Sequence, residues 1–314
     1  MKRVLVTGSA GFIGSHLCEA LLIRDYEVVG LDAFIPYYPR SFKEANLEIS
    51  MEFDNFEFHS IDLRTAPLDD LVRDCEIIVH LAAMPGLMRS WSDFKLYSSC
   101  NIDATQRLLE AAQKQGVEHF VYGSTSSVYG IEATGSETSE LRPYSPYGLT
   151  KLAAEHLCRA YEANFGLPVS ILRFFSVYGP RQRPDMAYNI LIDGLIHSRP
   201  FTRFGNGEQT RSNTYISDCV HAIVLTVEKR DVSLGETFNV GGGQVITLNK
   251  VIQLLENIVG KKIVIENKPE RPGDQKNTQA DVSKARNLLE YQPVIPVEEG
   301  LLAQVQWMKT RAKV

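Results

Sequence analysis

Three regularly spaced glycines near the start of the chain constrain its fold more than any other feature. Gly8, Gly11 and Gly14 follow the apolar run at residues 4–6 and precede a helical pattern. In such a strand–turn–helix unit, one glycine permits the tight turn, one lets a pyrophosphate approach the backbone, and one lets the helix pack on the strand. The helix N-terminus then presents unpaired N–H groups to phosphate. The sequence therefore predicts a dinucleotide site in a βαβ unit.

Acidic residues after the second and third predicted strands bear on the identity of the dinucleotide. Asp32 lies where a carboxylate accepts hydrogen bonds from the ribose hydroxyls of adenosine. Because this carboxylate would repel a 2′-phosphate, the sequence favours NAD over NADP. Asp62 is a candidate for contact with adenine, and a helix N-cap is the alternative for it.

The first half of the chain alternates β-rich runs with helical patterns. Helical patterns lie at 101–114 and 148–164, and residues 77–79 form a continuous apolar run, which is typical of a strand buried on both faces. The alternation predicts an α/β fold with a doubly wound parallel sheet of the Rossmann type. Six strands are predicted, at residues 4–6, 27–31, 56–61, 77–81, 120–122 and 170–174.

The sequence changes character after Tyr178. Polar loops with proline or glycine are predicted at 179–185, 203–212 and 267–274, and residues 248–259 have an apolar helical face. The length of 314 residues also favours two domains, at roughly 150 residues each. We predict a NAD-binding Rossmann domain over 1–175 and a smaller, mixed α/β substrate-binding lobe over 176–314. Strand-like runs around 214–241 are expected to return to the first sheet.

Charge and cysteine content argue against several classes of binding partner, namely nucleic acids, metal ions and membranes. The 33 basic and 38 acidic residues give a net charge of −5 without a lysine- or arginine-rich run, which argues against nucleic acid. The five cysteines are scattered without metal-ligand spacing, so we expect apolar fillers in a reducing cytosol and no metal site. Every apolar run is much shorter than the roughly 20 residues of a membrane span. The sequence predicts a cytoplasmic protein without membrane partners.

A tyrosine and a lysine four residues apart are the candidate catalytic pair. Tyr147 and Lys151 lie on one face of a helix at this spacing. A lysine cation and a positive nicotinamide ring beside the tyrosine would lower its pKa from about 10 and favour the phenolate. Residues 124–127 supply four adjacent hydroxyls, one of which is suited to orienting a substrate alcohol.

Together these motifs resemble the extended short-chain dehydrogenases/reductases, in the branch of NAD-dependent epimerases and dehydratases. The chain is most similar to the UDP-glucuronate 4-epimerases in that branch, with the UDP-glucose 4-epimerases close behind. The resemblance covers nearly the whole chain. It is carried by TGSAGFIG at 7–14, HLAA at 80–83, SPYGLTK at 145–151, RFFSVYGPRQR at 173–183, GNGEQTR at 205–211 and RPGD at 271–274.

The resemblance implies roles for individual residues. The catalytic trio is Thr125, Tyr147 and Lys151. Residues implied to bind NAD are Gly8, Gly11, Phe12, Ile13, Gly14, Asp32, Asp62, Leu63, Leu81, Ala82, Ala83, Tyr147 and Lys151. Residues implied to bind the UDP-sugar are Pro85, Gly86, Ser126, Ser127, Ser176, Arg183, Arg211, Arg271 and Asp274.

The resemblance also implies how substrate and partner are held. Arg211 and Arg271 would clamp the diphosphate, for which the planar guanidinium fork is well suited, and Asp274 would hold the uridine ribose. For each arginine, a surface salt bridge is the alternative. A homodimer would form through helices 101–114 and 148–164, unless their apolar faces pack only on their own sheet.

Two serines after Thr125 discriminate among related reactions. Sugar 4,6-dehydratases carry an aspartate–glutamate pair at these positions, and decarboxylases usually carry a glutamate at the second. Here the residues are Ser126 and Ser127, so no carboxylate is available for elimination. Epimerisation needs no further acid or base. The expected reaction is C4 epimerisation through a transient 4-keto sugar.

The choice of sugar depends on two positions. Ser176 replaces the asparagine of many UDP-glucose epimerases, and Arg183 is a candidate partner for a hexuronate carboxylate. These residues favour the conversion of UDP-glucuronate to UDP-galacturonate. Contact of Arg183 with nucleotide or protein is the alternative. A UDP-glucose 4-epimerase is the main competing function, ahead of a UDP-glucuronate decarboxylase or another nucleotide-sugar oxidoreductase.

Overall fold

A computed structural model describes residues 1–271 and 275–311. Strands and helices alternate through the first half of the chain. In the second half, short strands lie between the helices. The described strands are β1 (Arg3–Thr7), β2 (Glu27–Leu31), β3 (Phe56–His59), β4 (Ile77–His80), β5 (His119–Thr125), β6 (Glu132–Ala133), β7 (Val169–Phe174), β8 (Val177–Tyr178), β9 (Phe201–Phe204), β10 (Thr210–Tyr215), β11 (Thr237–Val240), β12 (Gln244–Thr247), β13 (Ile265–Lys268) and β14 (Asn277–Thr278).

Helices cover both faces of the main sheet and build most of the second lobe. The described α-helices are α1 (Phe12–Leu22), α2 (Arg40–Leu47), α3 (Asp69–Val72), α4 (Arg89–Ser92), α5 (Phe94–Ser98), α6 (Ala104–Gln115), α7 (Pro146–Phe165), α8 (Ala187–His197), α9 (Ile216–Glu228), α10 (Arg230–Ser233), α11 (Leu248–Val259), α12 (Ser283–Leu289) and α13 (Val297–Arg311). A π-helical turn, Ser99–Asp103, joins α5 to α6. Short 3₁₀ turns lie at Ser50–Glu52 and Ser126–Val128.

Seven parallel strands form the main sheet in the order β11-β7-β5-β4-β1-β2-β3. This order confirms the predicted doubly wound parallel sheet. The chain winds outward from β1 through β2 and β3 on one side and from β4 onward on the other. Ligands of such sheets bind in the crevice outside the carboxyl ends of the strands, where the winding direction reverses. The site is therefore expected at the ends of β1 and β4.

Apolar side chains fill both faces of the main sheet. Ile77 and Val79 contact the cluster beneath α1 and α9, whereas Ile78 contacts the cluster beneath α6 and α7. All three side chains are fully buried, as expected of strands covered by helices on both faces. A third cluster lies between α8, α11 and α13 and forms the core of the second lobe.

The predicted strands at 214–241 are wrong for most of that segment. Residues Ile216–Glu228 form helix α9, and only β11 at the end of the segment joins the main sheet, beside β7. The apolar and β-branched residues that suggested strands line the face of α9 that packs on α1. Burial of this face outweighs the weak preference of β-branched residues for strands.

The predicted polar loops of the second lobe contain strands. Strands β9 and β10 take up parts of 203–212, and β13 takes up the start of 267–274. A small sheet runs β12-β10-β14-β6, with β8 also paired to β10, and β9 pairs with β13. Because β6 follows β5 closely in the chain, this small sheet lies next to the carboxyl end of the main sheet.

The five cysteines lie in the cores of the fold, and the described helices are not membrane spans. All five cysteines lie in the described part of the chain and are buried as thiols. Cys18 and Cys219 fill the core between α1 and α9, and burial raises the pKa of both thiols. Across residues 1–271 and 275–311, each helix is too short or too polar to span a bilayer.

Candidate active site

One cavity opens at the carboxyl ends of β1, β2, β4 and β5. The residues predicted to bind the dinucleotide all line it, together with Pro85 and Arg183 from the predicted sugar site. The lining includes Gly8, Gly11, Phe12, Ile13, Gly14, Asp32, Asp62, Leu63, Leu81, Ala82, Ala83, Tyr147 and Lys151. The fold thus brings the five separate segments predicted to bind the dinucleotide around a single space at the expected edge of the sheet.

The glycine turn at the floor of this cavity has no room for side chains. Gly8 adopts φ +72°, and a Cβ there would lie 2.9 Å from the backbone nitrogen of Ala82. A Cβ at Gly14 would lie only 2.1 Å from the carbonyl oxygen of Gly8. The Gly8 N–H donates to the Leu31 carbonyl over 2.7 Å, which ties the turn to β2. The turn therefore requires glycine at both positions.

The first turn of α1 lines the cavity, and no side chain caps its backbone N–H groups. Gly11 is the N-cap in an extended conformation and supplies no side-chain cap. The next residues, Phe12, Ile13 and Gly14, line the cavity. Backbone N–H groups of a first helical turn have no partner within the helix and carry the positive end of its dipole. This cradle fits the pyrophosphate of a dinucleotide.

Asp32 is fixed at the cavity wall by two hydrogen bonds. Its Oδ1 accepts from the Phe34 backbone N–H over 2.8 Å and from Lys43 Nζ over 2.9 Å. The carboxylate is buried, and it lines the same cavity as Lys43. Sequence reasoning missed Lys43, because nothing in the spacing of α2 shows that it reaches back to β2.

Asp62 is paired with a neighbouring arginine. Its carboxylate accepts from the Arg64 backbone N–H over 2.9 Å and from Arg64 Nη2 over 2.6 Å. These hydrogen bonds lower the pKa of the Asp62 carboxyl. The helix N-cap alternative is wrong, since the next helix begins at Asp69 and its cap residue is Leu68. Contact of Asp62 with adenine stays a prediction.

The predicted catalytic hydroxyls meet at the start of α7. Ser145 caps this helix by accepting from the Gly148 N–H over 3.1 Å, which places Tyr147 in the first turn. The phenol of Tyr147 lies beside the hydroxyl of Thr125, the last residue of β5, and that hydroxyl donates to Ser127 Oγ over 3.3 Å. Burial raises the pKa of Tyr147, while the neighbouring Thr125 hydroxyl and the Arg183 charge act in the opposite direction.

Lys151 lies one turn beyond Tyr147 and is buried. Its Nζ lies 4.2 Å from the centroid of the Tyr122 ring, in cation–π contact. Burial lowers the pKa of Lys151 to about 7, against the influence of Cys158 and Glu155. The sequence predicted that this lysine lowers the pKa of Tyr147. Arg183 is a cation that lowers the pKa of Tyr147, and Lys151 is directed at the Tyr122 ring. The predicted effect of Lys151 on Tyr147 stays a prediction.

A buried ion pair joins the catalytic helix α7 to strands β5 and β7. Arg173 on β7 donates to the Glu155 carboxylate over 2.8 Å, and Ser124 on β5 donates to the same carboxylate. Arg173 also donates to the Tyr129 hydroxyl over 2.9 Å. Sequence reasoning missed this network. The position of Glu155 four residues after Lys151, and hence on the same helical face, is the signal that would have indicated it.

Asn101 in the π-helical turn joins the cavity wall to the catalytic helix. Its Oδ1 accepts from the Met84 N–H over 2.6 Å, and its Nδ2 donates to Thr150 Oγ1 over 3.0 Å. Met84 lines the cavity, and Thr150 lies between the two predicted catalytic residues of α7. Sequence analysis placed Asn101 only at the start of a regular helix, because periodicity does not reveal a π-turn. Such turns occur frequently at functional sites.

The predicted substrate serines lie close to the cavity without lining it. Ser126 and Ser127 are buried in the 3₁₀ turn that follows β5, where the Ser127 N–H donates to Thr125 Oγ1 over 3.2 Å. Gly86 lies beside the Tyr37 hydroxyl. Ser176 lies between β7 and β8, and its carbonyl accepts from the Thr214 N–H over 3.1 Å.

A second cavity contains both arginines predicted to clamp the diphosphate. Arg211 and Arg271 line it, and the Arg271 guanidinium lies 3.7 Å from the centroid of the Phe204 ring. Gln275 also lines this cavity and donates to the Ser126 carbonyl over 3.1 Å, which joins the second cavity to the turn after β5. Asp274 lies outside the described residues.

Arg183 lines the first cavity from a well-supported loop. Asp185, two residues further along, accepts hydrogen bonds from Nε and Nη2 of Arg183 over 2.9 and 3.0 Å. The preceding residue, Gln182, is buried and accepts from Gln304 over 2.8 Å. The alternative that Arg183 contacts protein is therefore realised in this structure, while the Tyr147 phenol lies within reach of its charge.

Known relatives match nearly the whole chain. The family described as the NAD dependent epimerase/dehydratase family matches residues 4–241. The uncharacterized UDP-glucose epimerase YtcB of Bacillus subtilis strain 168 is 46% identical over 312 residues, which cover 98% of both proteins. The UDP-glucuronate 4-epimerase of Thermodesulfobacterium geofontis is 37% identical over 98% of this chain and 97% of its own length. A crystal structure of the Bacillus cereus UDP-glucuronic acid 4-epimerase, with UDP-glucuronic acid and NAD, has a TM-score of 0.96 at 43% identity and covers 98% and 99% of the two chains.

Proposed function

The chain belongs to the NAD-dependent epimerase/dehydratase family, and on that basis we propose that it interconverts UDP-glucuronate and UDP-galacturonate. It is a NAD-dependent nucleotide-sugar 4-epimerase. One observation carries the proposal: Tyr147, with the Thr125 hydroxyl beside it, lines the same cavity as the glycine turn. The neighbouring turn supplies only the hydroxyls of Ser126 and Ser127, and elimination or decarboxylation would need a carboxylate there.

The first cavity fits NAD. The free first turn of α1 and the close approach at Gly8 suit its pyrophosphate, and Asp32 suits the ribose of its adenosine. Asp32 also disfavours a 2′-phosphate by charge repulsion. When bound, NAD supplies the acceptor, and then the donor, of the hydride that leaves and returns to C4 of the sugar.

The protein's own groups move the proton. Tyr147 takes the proton of the C4 hydroxyl at its phenolic oxygen, and the Thr125 hydroxyl beside the phenol orients that C4 hydroxyl by a hydrogen bond to it. The 4-keto sugar then turns over within the cavity and presents its opposite face. Tyr147 returns the proton to O4 of the product, so no proton is gained or lost over the cycle. Lys151 holds a positive charge next to this reaction when it is protonated.

Binding of the sugar nucleotide is assigned to both cavities. Arg211 and Arg271 are proposed to hold the diphosphate, and Asp274 the uridine ribose. Pro85, Gly86, Ser126, Ser127 and Ser176 are proposed to surround the hexose. Arg183 is proposed to meet the carboxylate at C5, because a guanidinium fork is the natural partner of a planar anion. This assignment is supported by the positions of the arginines: Arg183 lines the first cavity, and Arg211 and Arg271 line the second.

A UDP-glucose 4-epimerase is the second candidate. The bidentate pair with Asp185 already neutralises Arg183, so a neutral hexose meets no uncompensated charge there. The name of the B. subtilis relative points in the same direction. A decarboxylase is less well supported, because Ser127 stands where a carboxylate would be needed.

Product analysis distinguishes these functions. The NAD-loaded protein is incubated with UDP-glucuronate, and proton NMR of the sugar identifies the product. UDP-galacturonate supports the proposal, whereas UDP-xylose would establish a decarboxylase. An unchanged spectrum, followed by turnover of UDP-glucose, would establish the second candidate.

A pair of tyrosine variants tests the mechanism. Tyr147→Phe is expected to abolish turnover while NAD stays bound, because only the phenolic oxygen is lost. Tyr161→Phe is the matched control, since this tyrosine lies on the same helix and accepts a hydrogen bond from Gln106 outside the cavity. Turnover by Tyr147→Phe at more than a tenth of the wild-type rate would refute the assignment.

Three further features stay predictions. We propose that residues 1–175, with the segment around 214–241, bind NAD and that 176–314 bind the sugar nucleotide. We propose a homodimer through α6 and α7, supported by exposed apolar side chains on α7 such as Leu149 and Phe165. A cytoplasmic location is supported by the five buried thiols.

A further inference from the structure

The guanidinium of Arg183 is occupied by a carboxylate of its own chain. Nε and Nη2 donate to Oδ1 and Oδ2 of Asp185 over 2.9 and 3.0 Å, which is a bidentate pair. The Tyr37 hydroxyl donates to Oδ2 over 3.3 Å, and the Tyr37 ring lies 5.7 Å from the guanidinium carbon. Asp185 therefore makes with Arg183 the contact that a hexuronate carboxylate would make.

We propose that Asp185 is an internal counter-ion that lets this site accept both charged and neutral hexoses. The inference rests on the proposed function, because it takes Arg183 as the residue that meets the substituent at C5. Asp185 then opposes binding of a uronate and favours binding of a neutral sugar, so that it determines specificity without reacting.

The loop that carries the pair is held by contacts that do not involve Asp185. The Gln182 side chain donates to the Val177 carbonyl over 3.1 Å and accepts from Gln304 over 2.8 Å. Asn189 on α8 donates to the Gln182 carbonyl over 2.8 Å. Because these anchors flank Arg183, removal of the Asp185 charge is expected to change the electrostatics of the site while leaving the path of the loop intact.

A substrate carboxylate has two ways to reach Arg183, and Asp185 opposes both. On the Nε–Nη2 edge it must displace Asp185, whereas on the opposite edge it lies within a few ångströms of a like charge. The side chains of Arg183 and Asp185 are 20% and 35% exposed, so solvent weakens this repulsion without removing it. A neutral hexose meets neither penalty. It instead benefits from the compensated charge, since a partly buried cation without a partner is costly.

The test measures binding in the NAD-loaded protein. Calorimetry gives Kd for UDP-glucuronate and for UDP-glucose in the wild type and in Asp185→Asn. We expect the ratio of the UDP-glucose Kd to the UDP-glucuronate Kd to rise about tenfold in the variant. A ratio that stays within twofold, or that falls, would overturn the inference. A fall would mean that Asp185 serves to aim Arg183 at the substrate.

Matched variants secure the interpretation. Asp193→Asn removes a carboxylate of α8 that pairs with Arg199 and lines neither cavity, and it is expected to leave the ratio unchanged. In an Arg183→Met background, Asp185→Asn is also expected to leave the ratio unchanged, because its effect passes through Arg183. A rise of similar size in that background would overturn the inference. Asp185→Ser replaces Asp185→Asn if thermal melting shows that the asparagine variant is unfolded.

Failure of this inference is distinguishable from failure of the proposed function. A wild-type protein that does not convert UDP-glucuronate refutes the proposed function. The Kd ratios of the wild type and of Asp185→Asn still test the role of Asp185 in that case. A wild type that epimerises UDP-glucuronate with an unchanged ratio in the variant refutes only the inference.

Discussion

Replacement of Glu155 by glutamine is expected to lower the free energy of unfolding by about 3–5 kcal/mol. The Glu155 and Arg173 side chains are only 5% and 6% exposed, so solvent screens their pair very little. Arg173 reaches Oε1 through Nε over 3.1 Å and Oε2 through Nη2 over 2.8 Å. The pair therefore combines a bidentate geometry with almost complete burial.

The expected cost arises from the charge that remains. In Glu155→Gln, Arg173 keeps its hydrogen bonds to the Tyr129 hydroxyl and the Glu137 carbonyl, at 2.9 and 3.0 Å, but both partners are neutral. The new amide group also directs a donor at the donors of the guanidinium. A buried cation without a counter-ion accounts for the 3–5 kcal/mol, whereas loss of one neutral hydrogen bond accounts for about 1 kcal/mol.

Urea unfolding followed by circular dichroism measures this difference at constant pH and NAD concentration. Glu162→Gln is the control on the same helix, because Glu162 pairs with Arg159 while both side chains are more than a quarter exposed. The control is expected to change stability by less than about 1 kcal/mol. In the double variant with Arg173→Gln, removal of both charges is expected to recover at least half of the loss. A loss below 1 kcal/mol in Glu155→Gln, or no recovery in the double variant, would refute the argument from charge burial.

Three other substitutions test the turn, a buried histidine and the π-helical turn. Gly14→Ala brings a Cβ within 2.1 Å of the Gly8 carbonyl oxygen; we expect a loss of about 1–3 kcal/mol and of copurified NAD, and unchanged NAD content by acid extraction would contradict this. Burial, followed by the Lys151 charge, lowers the pKa of His80 to about 3. The unfolded histidine binds a proton below its ordinary pKa of about 6.5, so stability falls as the pH drops from 6.5 towards 3. In thermal melts, His80→Gln is expected to show a weaker pH dependence of stability than the wild type. An equal dependence in both proteins would count against this role of His80. Asn101→Ala frees a buried backbone N–H and loosens the catalytic helix; we expect a roughly tenfold lower kcat in the epimerase assay, and a kcat within twofold of wild type would argue for a merely structural asparagine.

Features that depend on neighbouring residues were predictable from the sequence. The strand at Ile77–His80 follows from a short apolar run, and α11 at Leu248–Val259 has the predicted bounds because its apolar face repeats at the helical period. The glycine turn was equally readable, since each glycine has a local steric reason. These patterns were sufficient to fix the doubly wound sheet and the position of the dinucleotide cavity.

Features that depend on distant segments were not predictable in this way. The environment of Lys151 is decided by the Tyr122 ring on β5, which no spacing within α7 reveals. Helix α9 resembles a strand in sequence because its buried face is rich in β-branched residues, and only its contact with α1 explains why it is a helix. The pairing of Arg183 with Asp185 spans two residues, yet it depends on a loop conformation that is held by Gln304.

The contacts of Gln304 connect the order of synthesis to the order in which the two sites become complete. Gln304 accepts from the Gly179 N–H and donates to Gln182, across sequence separations of 125 and 122 residues. A ribosome makes every residue of the glycine turn and the catalytic helix long before it makes Gln304. A growing chain can therefore assemble the glycine turn and the catalytic helix first, whereas the loop that carries Arg183 gains the support of Gln304 only after a further 122 residues have been made. The order of synthesis therefore lets the dinucleotide-binding turn form before the Arg183 loop is fully supported.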